Sequence, residues 1–350
     1  MIPDVPMTEW WSWIVCVVAL GAGVFALWKC SDVFVDGAAS LAKKMKVSTM
    51  IIGLTVVAFG TSCPELAVSV SDSITCLLSD GDAYANVAIG NVVGSNICNI
   101  LIVLGVSAIF TPIAVKKSTL KKELPIMLAA TALCVLFVLL WNNADGEYAI
   151  LRWEGIILVV GIIGYVAYLV VSSRRQQKLG LEMDAEEPDI KEMSVGKAIL
   201  FTVLGLLGVI VGGEAVVYGA KNIAVGIGTA ASLDHDLVES LVGLTIVAVG
   251  TSLPELIVST RAAMRGQNDM ALGNVIGSNI FNILFVLGLA ATVNPLVVGN
   301  QIWVDLVVMA GASLLLFGLS FTGKIKKIHG WLFVALYVGY LTYLVLRTVL

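Results

Sequence analysis

Gly53-Leu-Thr-Val-Val-Ala-Phe-Gly-Thr-Ser-Cys-Pro-Glu-Leu-Ala-Val-Ser69 is matched at 13 of 17 positions by Gly243-Leu-Thr-Ile-Val-Ala-Val-Gly-Thr-Ser-Leu-Pro-Glu-Leu-Ile-Val-Ser259. A second stretch, Gly90-Asn-Val-Val-Gly-Ser-Asn-Ile-Cys-Asn-Ile-Leu-Ile-Val-Leu-Gly105, is matched at 13 of 16 by Gly273-Asn-Val-Ile-Gly-Ser-Asn-Ile-Phe-Asn-Ile-Leu-Phe-Val-Leu-Gly288. The preceding segments correspond too, since Asp32 to Ala42 and Glu214 to Ala224 share a Gly-Ala pair and a final Ala. Self-similarity of this kind governs the whole architecture. The chain reads as two homologous halves.

Around these motifs the sequence is apolar. Of 350 residues, 58% are hydrophobic and 13% charged, with mean hydropathy +0.96, whereas a soluble domain carries about a quarter charged residues. A soluble enzyme is excluded. A spanning helix needs roughly 20 apolar residues. Apolar stretches fall at 10–28 (running on towards 42), 47–77, 84–109, 120–141, 154–172, 196–222, 238–262, 270–291, 300–320 and 329–348. These predict an all-α polytopic membrane protein with ten transmembrane helices. Residues 1–172 form a first repeat, 173–195 a cytoplasmic linker and 196–350 a second repeat. No Lys or Arg precedes Trp10, so the first segment lacks the basic region of a cleaved signal and is expected to stay. Five segments per half is an odd number, so segments 2 and 7 cross the membrane in opposite directions. The repeats are therefore inverted, an architecture of secondary transporters whose substrate site lies at the midplane on interrupted helices.

Charge sets the expected orientation. The loops after segments 1, 3, 5, 7 and 9 carry 17 of the 21 Lys and Arg, among them Lys43, Lys44, Lys46, Lys116, Lys117, Arg174, Arg175, Arg261, Arg265 and Lys324. The other side carries Asp4, Glu9, Asp80, Asp82, Asp145, Glu147, Asp234, Asp236 and Glu239. Cytoplasmic loops are enriched in basic residues, which places both termini outside. Trp10, Trp11, Trp13, Trp141, Trp153, Trp303 and Trp331 sit at segment ends, as in an interfacial aromatic belt. A net charge of −4 without a clustered basic surface argues against nucleic acid as a partner. Cys16, Cys30, Cys63, Cys76, Cys98 and Cys134 form no CxxC pair and read as small buried hydrophobes. The acidic stretch from Glu182 to Glu192 lacks the spacing and glycine of an EF-hand, and is read as a solvated linker. His235 and His329 have no partner at metal-ligand spacing.

Glu65 and Glu255 lie within segments, where a carboxylate costs several kcal/mol unless solvated, paired or ligating. Each follows a proline, Pro64 or Pro254, which lacks an N–H, frees the carbonyl of Gly60 or Gly250 and kinks the helix. Thr61 and Ser62 share a helical face with Glu65, as Thr251 and Ser252 do with Glu255. Ser95 and Asn99, and their counterparts Ser278 and Asn282, are i, i+4 pairs. Gly90, Gly94, Gly273 and Gly277 are expected to let backbones approach closely. The donor set is all oxygen, which suits Ca²⁺ or Na⁺ and offers nothing soft for copper or zinc.

GTSCPE with GNVVGSNICN, repeated as GTSLPE with GNVIGSNIFN, resembles the α-repeats of the sodium/calcium exchanger family of cation/calcium antiporters, over the whole chain. The resemblance implies a prokaryotic-type minimal exchanger, in which Glu65 and Glu255 bind Ca²⁺ and Na⁺ competitively. It further implies that Thr61, Ser62, Ser95, Asn99, Thr251, Ser252, Ser278 and Asn282 complete the sites with carbonyl help at Ala58 and Ala248, and that segments 1 and 6 slide as a gate. No cofactor and no obligate protein partner is expected, only Ca²⁺ and Na⁺ as substrates and lipid around the protein, in a prokaryotic inner membrane. Two departures matter. Some relatives, including the potassium-dependent ones, carry Asp at the position of Asn282, so K⁺-independent exchange is expected here. The first half is also longer between motifs, 37 residues from Gly53 to Gly90 against 30 from Gly243 to Gly273.

Three other readings compete. A proton/calcium antiporter would use the same glutamates, but such relatives typically carry GNAxE where this chain has GTSxPE. A cation channel is disfavoured by inverted halves with single glutamates. An intramembrane enzyme is disfavoured by the lack of HExxH, GxSxG or a nucleophile beside a base.

Overall fold

The computed structural model describes residues 10–78, 87–141, 148–178, 193–230, 248–299 and 302–349. Helices dominate: α1 (Trp10–Met45), α2 (Thr49–Thr61), α3 (Cys63–Leu78), α4 (Val87–Phe110), α5 (Lys117–Leu140), α6 (Arg152–Lys178) and α7 (Val195–Ala230). After them come α8 (Ala248–Gly250), α9 (Leu253–Met264), α10 (Asn268–Val293), α11 (Ile302–Ser320) and α12 (Lys327–Val349). Among the described residues eight helices are long and apolar enough to span a membrane, and α2 with α3, bent by 48°, make a ninth. The seventh apolar stretch lies partly outside the described residues, as do the acidic residues assigned to the opposite loops, His235 and most of the linker.

Many large apolar side chains point outward, and the interior holds buried polar groups among its apolar ones, an arrangement suited to a lipid solvent. Trp10, Trp11, Trp141, Trp153, Trp303 and Trp331 are exposed at helix ends, which suits an aromatic belt. Two short antiparallel clips join distant loops. Strand β1 (Ile113–Ala114) pairs with β4 (Lys324–Ile325), and β2 (Tyr148–Ile150) with β3 (Leu296–Val298). Each clip ties the loop after one copy of the second motif to the loop before the last helix of the other copy.

The first segment is a continuous 36-residue helix reaching Met45, and the sixth segment likewise runs on to Ala230. Both are longer than a perpendicular crossing requires. Their seam is made of small residues. A Cβ at Gly205, Gly212 or Gly219 of α7 would collide with Phe34, Leu27 or the Cys16–Leu20 turn of α1, and one at Gly23 or Gly37 of α1 would collide with α7. Spaced by seven along α7, the three glycines keep one face against α1 for about four turns. The two helices are packed as one body. That body lies along α9 and makes no comparable contact with α3.

A second close crossing centres the molecule. A Cβ at Gly273 would meet the Met50 carbonyl at 2.8 Å, one at Gly277 the Ala58 Cβ at 2.7 Å, and one at Gly53 the Met270 carbonyl at 2.8 Å. The expected close approach therefore holds for the second motif copy. For the first copy, a Cβ at Gly90 or Gly94 would meet nothing within 4 Å among the described residues. The corresponding partners, residues 243 to 247, lie outside the described residues. Overpacking such a contact costs about 1–3 kcal/mol or more. We expect Gly277→Val to reduce the folded yield sharply, with Gly164→Ala, which meets nothing, as the neutral control. Thermal-shift and size-exclusion measurements of the two purified variants check this.

Candidate ion-binding site

The helix breaks put the site together. Pro64 and Pro254 follow the turns at Ser62 and Ser252, whose φ, ψ are −87°, 8° and −90°, 5°. The chain leaves the helix there and restarts it with Glu65 and Glu255 in the first turns of α3 and α9. Both carboxylates are fully buried. They lie in the interior close enough to interact with one another.

The two copies interlock. Ser62 donates to Glu255 Oε1 at 3.1 Å, and Ser95 donates to Glu65 Oε1 at 3.4 Å. Thr251 sits beside Glu65, while Thr61 and Ser278 sit beside Glu255. Each glutamate is thus surrounded by hydroxyls from both copies of the motifs. Asn99 and Asn282 open two π-helical turns, Asn99–Leu104 and Asn282–Leu287. Such turns recur at functional sites because the wider turn re-aims a side chain. Asn282's turn packs against α3, the helix whose first turn holds Glu65.

Seven buried oxygens here have no hydrogen-bond partner among the described residues: Glu65 Oε2, Asn99 Oδ1, Thr251 Oγ1, Ser252 Oγ, Glu255 Oε2, Ser278 Oγ and Asn282 Oδ1. Leaving a buried polar atom unpaired costs about 1–3 kcal/mol. Concentrated in one place, such acceptors fit hard cations, which bind through oxygen. Among the described residues no group of three or more His, Cys, Asp or Glu comes together, and the two carboxylates here are surrounded by neutral oxygens.

Some expected ligands are differently engaged. The Ala58 carbonyl accepts from the Ser62 N–H at 3.0 Å and lies 3.4 Å from the Thr61 hydroxyl, which itself donates to Val57 O at 3.1 Å. Thr61 would have to turn before Ala58 could face an ion. Ala248 opens α8, and its side chain lies outside the described residues.

Sequence reading missed three further residues. Asn91 Nδ2 donates to Ser69 Oγ at 3.0 Å and to the Glu65 carbonyl at 3.3 Å, and Asn274 Nδ2 donates to Ser259 Oγ at 2.9 Å while its Oδ1 faces Thr61 Oγ1 at 3.2 Å. Their signal was present in the Gly-Asn that opens both second motifs. The third is Cys98. The cysteines are all free, and Cys16, Cys98 and Cys134 are buried as expected, but Cys98 lies against Ser252 and Tyr337. A sulfur therefore borders the oxygen set.

The sodium/calcium exchanger protein family model matches residues 15–173 and 197–346, both halves of the chain. The chain belongs to the sodium/calcium exchanger protein family. Membership makes it an integral membrane cation/Ca²⁺ antiporter, a transporter and not an enzyme. Among curated relatives, the exchanger is 36% identical over 335 residues to the putative antiporter CaxA of Alkalimonas amylolytica, covering 93% of this chain and 98% of that one. It is 33% identical over 353 residues to the sodium/calcium exchanger MaX1 of Methanosarcina acetivorans, covering 92% and 96%. It superimposes on the sodium-calcium exchanger NCX_Mj soaked with 10 mM Na⁺ and zero Ca²⁺ with a TM-score of 0.74 at 34% identity, over 93% of this chain and 97% of that chain.

Proposed function

We propose that the exchanger trades Na⁺ for Ca²⁺ by alternating access, electrogenically and without K⁺, through a site made by Glu65, Glu255, Thr61, Ser62, Ser95, Asn99, Thr251, Ser252, Ser278 and Asn282 with the Ala58 and Ala248 carbonyls. The observation that carries the reading is the set of seven unpartnered buried oxygens, two of them on the carboxylates of Glu65 and Glu255. Ca²⁺ takes six to eight oxygen ligands. The same carboxylates serve both ions, so binding is competitive. The chain is organised as two inverted five-helix repeats, 1–172 and 196–350, joined by the cytoplasmic linker 173–195, with both termini outside and the inner membrane as its place. The packed α1–α7 body, which rests on α9 and not on α3, is the gate that slides against the rest.

The experiment is ⁴⁵Ca²⁺ uptake by Na⁺-loaded proteoliposomes, with K⁺ and pH varied separately. Uptake should require the outward Na⁺ gradient and ignore K⁺. Uptake driven by a pH gradient without Na⁺ would establish proton coupling instead, and downhill Ca²⁺ entry without any counter-ion would establish a channel. Because Asn282 offers a neutral amide where aspartate would add a charge, Asn282→Asp should shift ion preference or pH dependence while leaving transport measurable. An inert Asn282→Asp would mean that this side chain faces away from the ions.

A further inference from the structure

Asn282 is anchored by a chain of amides that has a fixed polarity, and this rests on the ion site proposed above. The chain starts at the Asn279 backbone carbonyl, which can only accept. Asn96 Nδ2 lies 3.4 Å from it and donates. Asn96 therefore turns its own Oδ1 the other way, towards Asn282 Nδ2 at 3.3 Å. An oxygen there also can only accept, so Asn282 must present its Nδ2 to Asn96 and its Oδ1 elsewhere. That Oδ1 is one of the unpartnered site oxygens, and all three asparagines are at most 1% exposed. An amide can otherwise turn over at little cost, because its oxygen and nitrogen have nearly the same shape. The first copy has no such relay: neither Asn99 Oδ1 nor Asn99 Nδ2 has a partner among the described residues, and Asn279 Nδ2 faces Met127 Sδ instead.

We infer that Asn96 is a positioning residue that forces Asn282, but not Asn99, to offer oxygen and never N–H to the transported ions. A cation site in which one amide is held and its twin is free has one ligand set in advance and one that adapts. The test is a double-mutant cycle in proteoliposomes with Asn96→Leu, Asn282→Leu and the pair, reading half-saturating Na⁺ and Ca²⁺ separately from maximal flux. Asn96→Leu should weaken half-saturation by about tenfold, the equivalent of one lost ligand interaction of about 1.4 kcal/mol, and should add nothing once Asn282 is Leu. Additive effects, or a loss confined to maximal flux, would overturn the relay. If Asn96→Leu does not fold, Asn96→Ala is read in the same cycle. Absence of any Na⁺-dependent flux in the unmodified protein would instead sink the exchanger reading itself.

A different observation concerns the gate. Arg261 on α9 binds Asp32 of α1, with Nε to Oδ1 at 2.8 Å, and Arg265 binds both Asp32, at 3.0 Å, and Asp36. These half-buried pairs join the α1–α7 body to one flank of the core. The repeat does not place the same residue types on the other flank. Ser71 and Thr75 stand where Arg261 and Arg265 do, and Glu214 and Tyr218 correspond to Asp32 and Asp36. The geometry points to a one-sided ionic latch that favours the state closed at the basic end of α1, where Lys43 and Lys44 lie. A ligand's apparent affinity falls by the fraction of protein in the competent state, so the latch should be visible as sidedness. In oriented proteoliposomes, Arg265→Gln should shift the ratio of half-saturating Ca²⁺ on the two faces by about fivefold towards the basic face, and Asp36→Arg with Arg265→Asp should bring it back. An unmoved ratio, or a charge swap that behaves like the single change, would overturn the latch while leaving exchange intact. Should Arg265→Gln not fold, Asp36→Asn removes one of Arg265's two pairs and leaves the one to Asp32, so the ratio should move the same way by a smaller factor.

Discussion

Glu65→Gln and Glu255→Gln should each abolish Ca²⁺ exchange, by at least about a hundredfold, while the purified protein keeps its size-exclusion profile. The size of the effect follows from charge. Two carboxylates neutralise one Ca²⁺, and in a site whose other ligands are neutral oxygens each supplies half of the compensating charge. Interactions between charges in a low-dielectric interior are several-fold stronger than in water, so losing one is worth more than losing any hydroxyl. Glutamine keeps the volume and one oxygen, so the backbone breaks at Ser62 and Ser252 have no reason to change. Folding and transport therefore separate. ⁴⁵Ca²⁺ uptake by Na⁺-loaded proteoliposomes measures it, and unmodified exchange by either variant would remove that glutamate from the ion path.

The second large effect should be on voltage. With one Ca²⁺ the two glutamates leave the site neutral, and two Na⁺ would do the same. The neutral oxygens outnumber what two sodium ions need: Thr61, Ser62, Thr251, Ser252, Ser95 and Ser278 carry hydroxyls, and Asn99 and Asn282 carry amides. If the proposed site holds a third Na⁺, the sodium-loaded site carries one net positive charge. Moving one charge through 100 mV is worth about 2.3 kcal/mol, or roughly fiftyfold in the equilibrium distribution of Ca²⁺. An interior-negative potential should favour Na⁺ entry and Ca²⁺ extrusion. With vesicles clamped by K⁺ and valinomycin, Na⁺-driven Ca²⁺ flux should change strongly with the sign of the potential. Flux indifferent to that sign would make the exchange electroneutral.

Pairings between the two copies of a motif could not be read along the chain. The i, i+4 rule groups Thr61, Ser62 and Glu65 on one local face, yet in the folded protein Ser62 donates to Glu255 and Thr61 faces Asn274. Contacts of that separation depend on how two crossing helices meet, and the meeting is set by Gly53, Gly273 and Gly277 rather than by the site residues themselves. The π turns at Asn99 and Asn282 were equally hidden, because an apolar run such as Ile100 to Leu104 has no periodicity to betray a wider turn. The first segment does run on beyond 42, as a helix of 36 residues to Met45, because its far end packs against α7 and binds Arg261 and Arg265.

Composition alone determined that this chain lives in a membrane, and the duplicated motifs alone determined its family and the residue types that can hold a hard cation. Both are properties of local chemistry: apolar length must match the bilayer, and a carboxylate beside a helix-breaking proline at that depth has few stable uses. Only the tertiary structure decided which oxygens are left unpartnered among the described residues, that Asn282 bonds to Asn96 while Asn99 has no partner among those residues, and that Arg261 and Arg265 tie the α1–α7 body to one flank. The physical reason is that the two motif copies are nearly identical in sequence, so the chain presents them as equals. The difference between them arises only where one copy's neighbours, packed at a given distance and polarity, are not the other's.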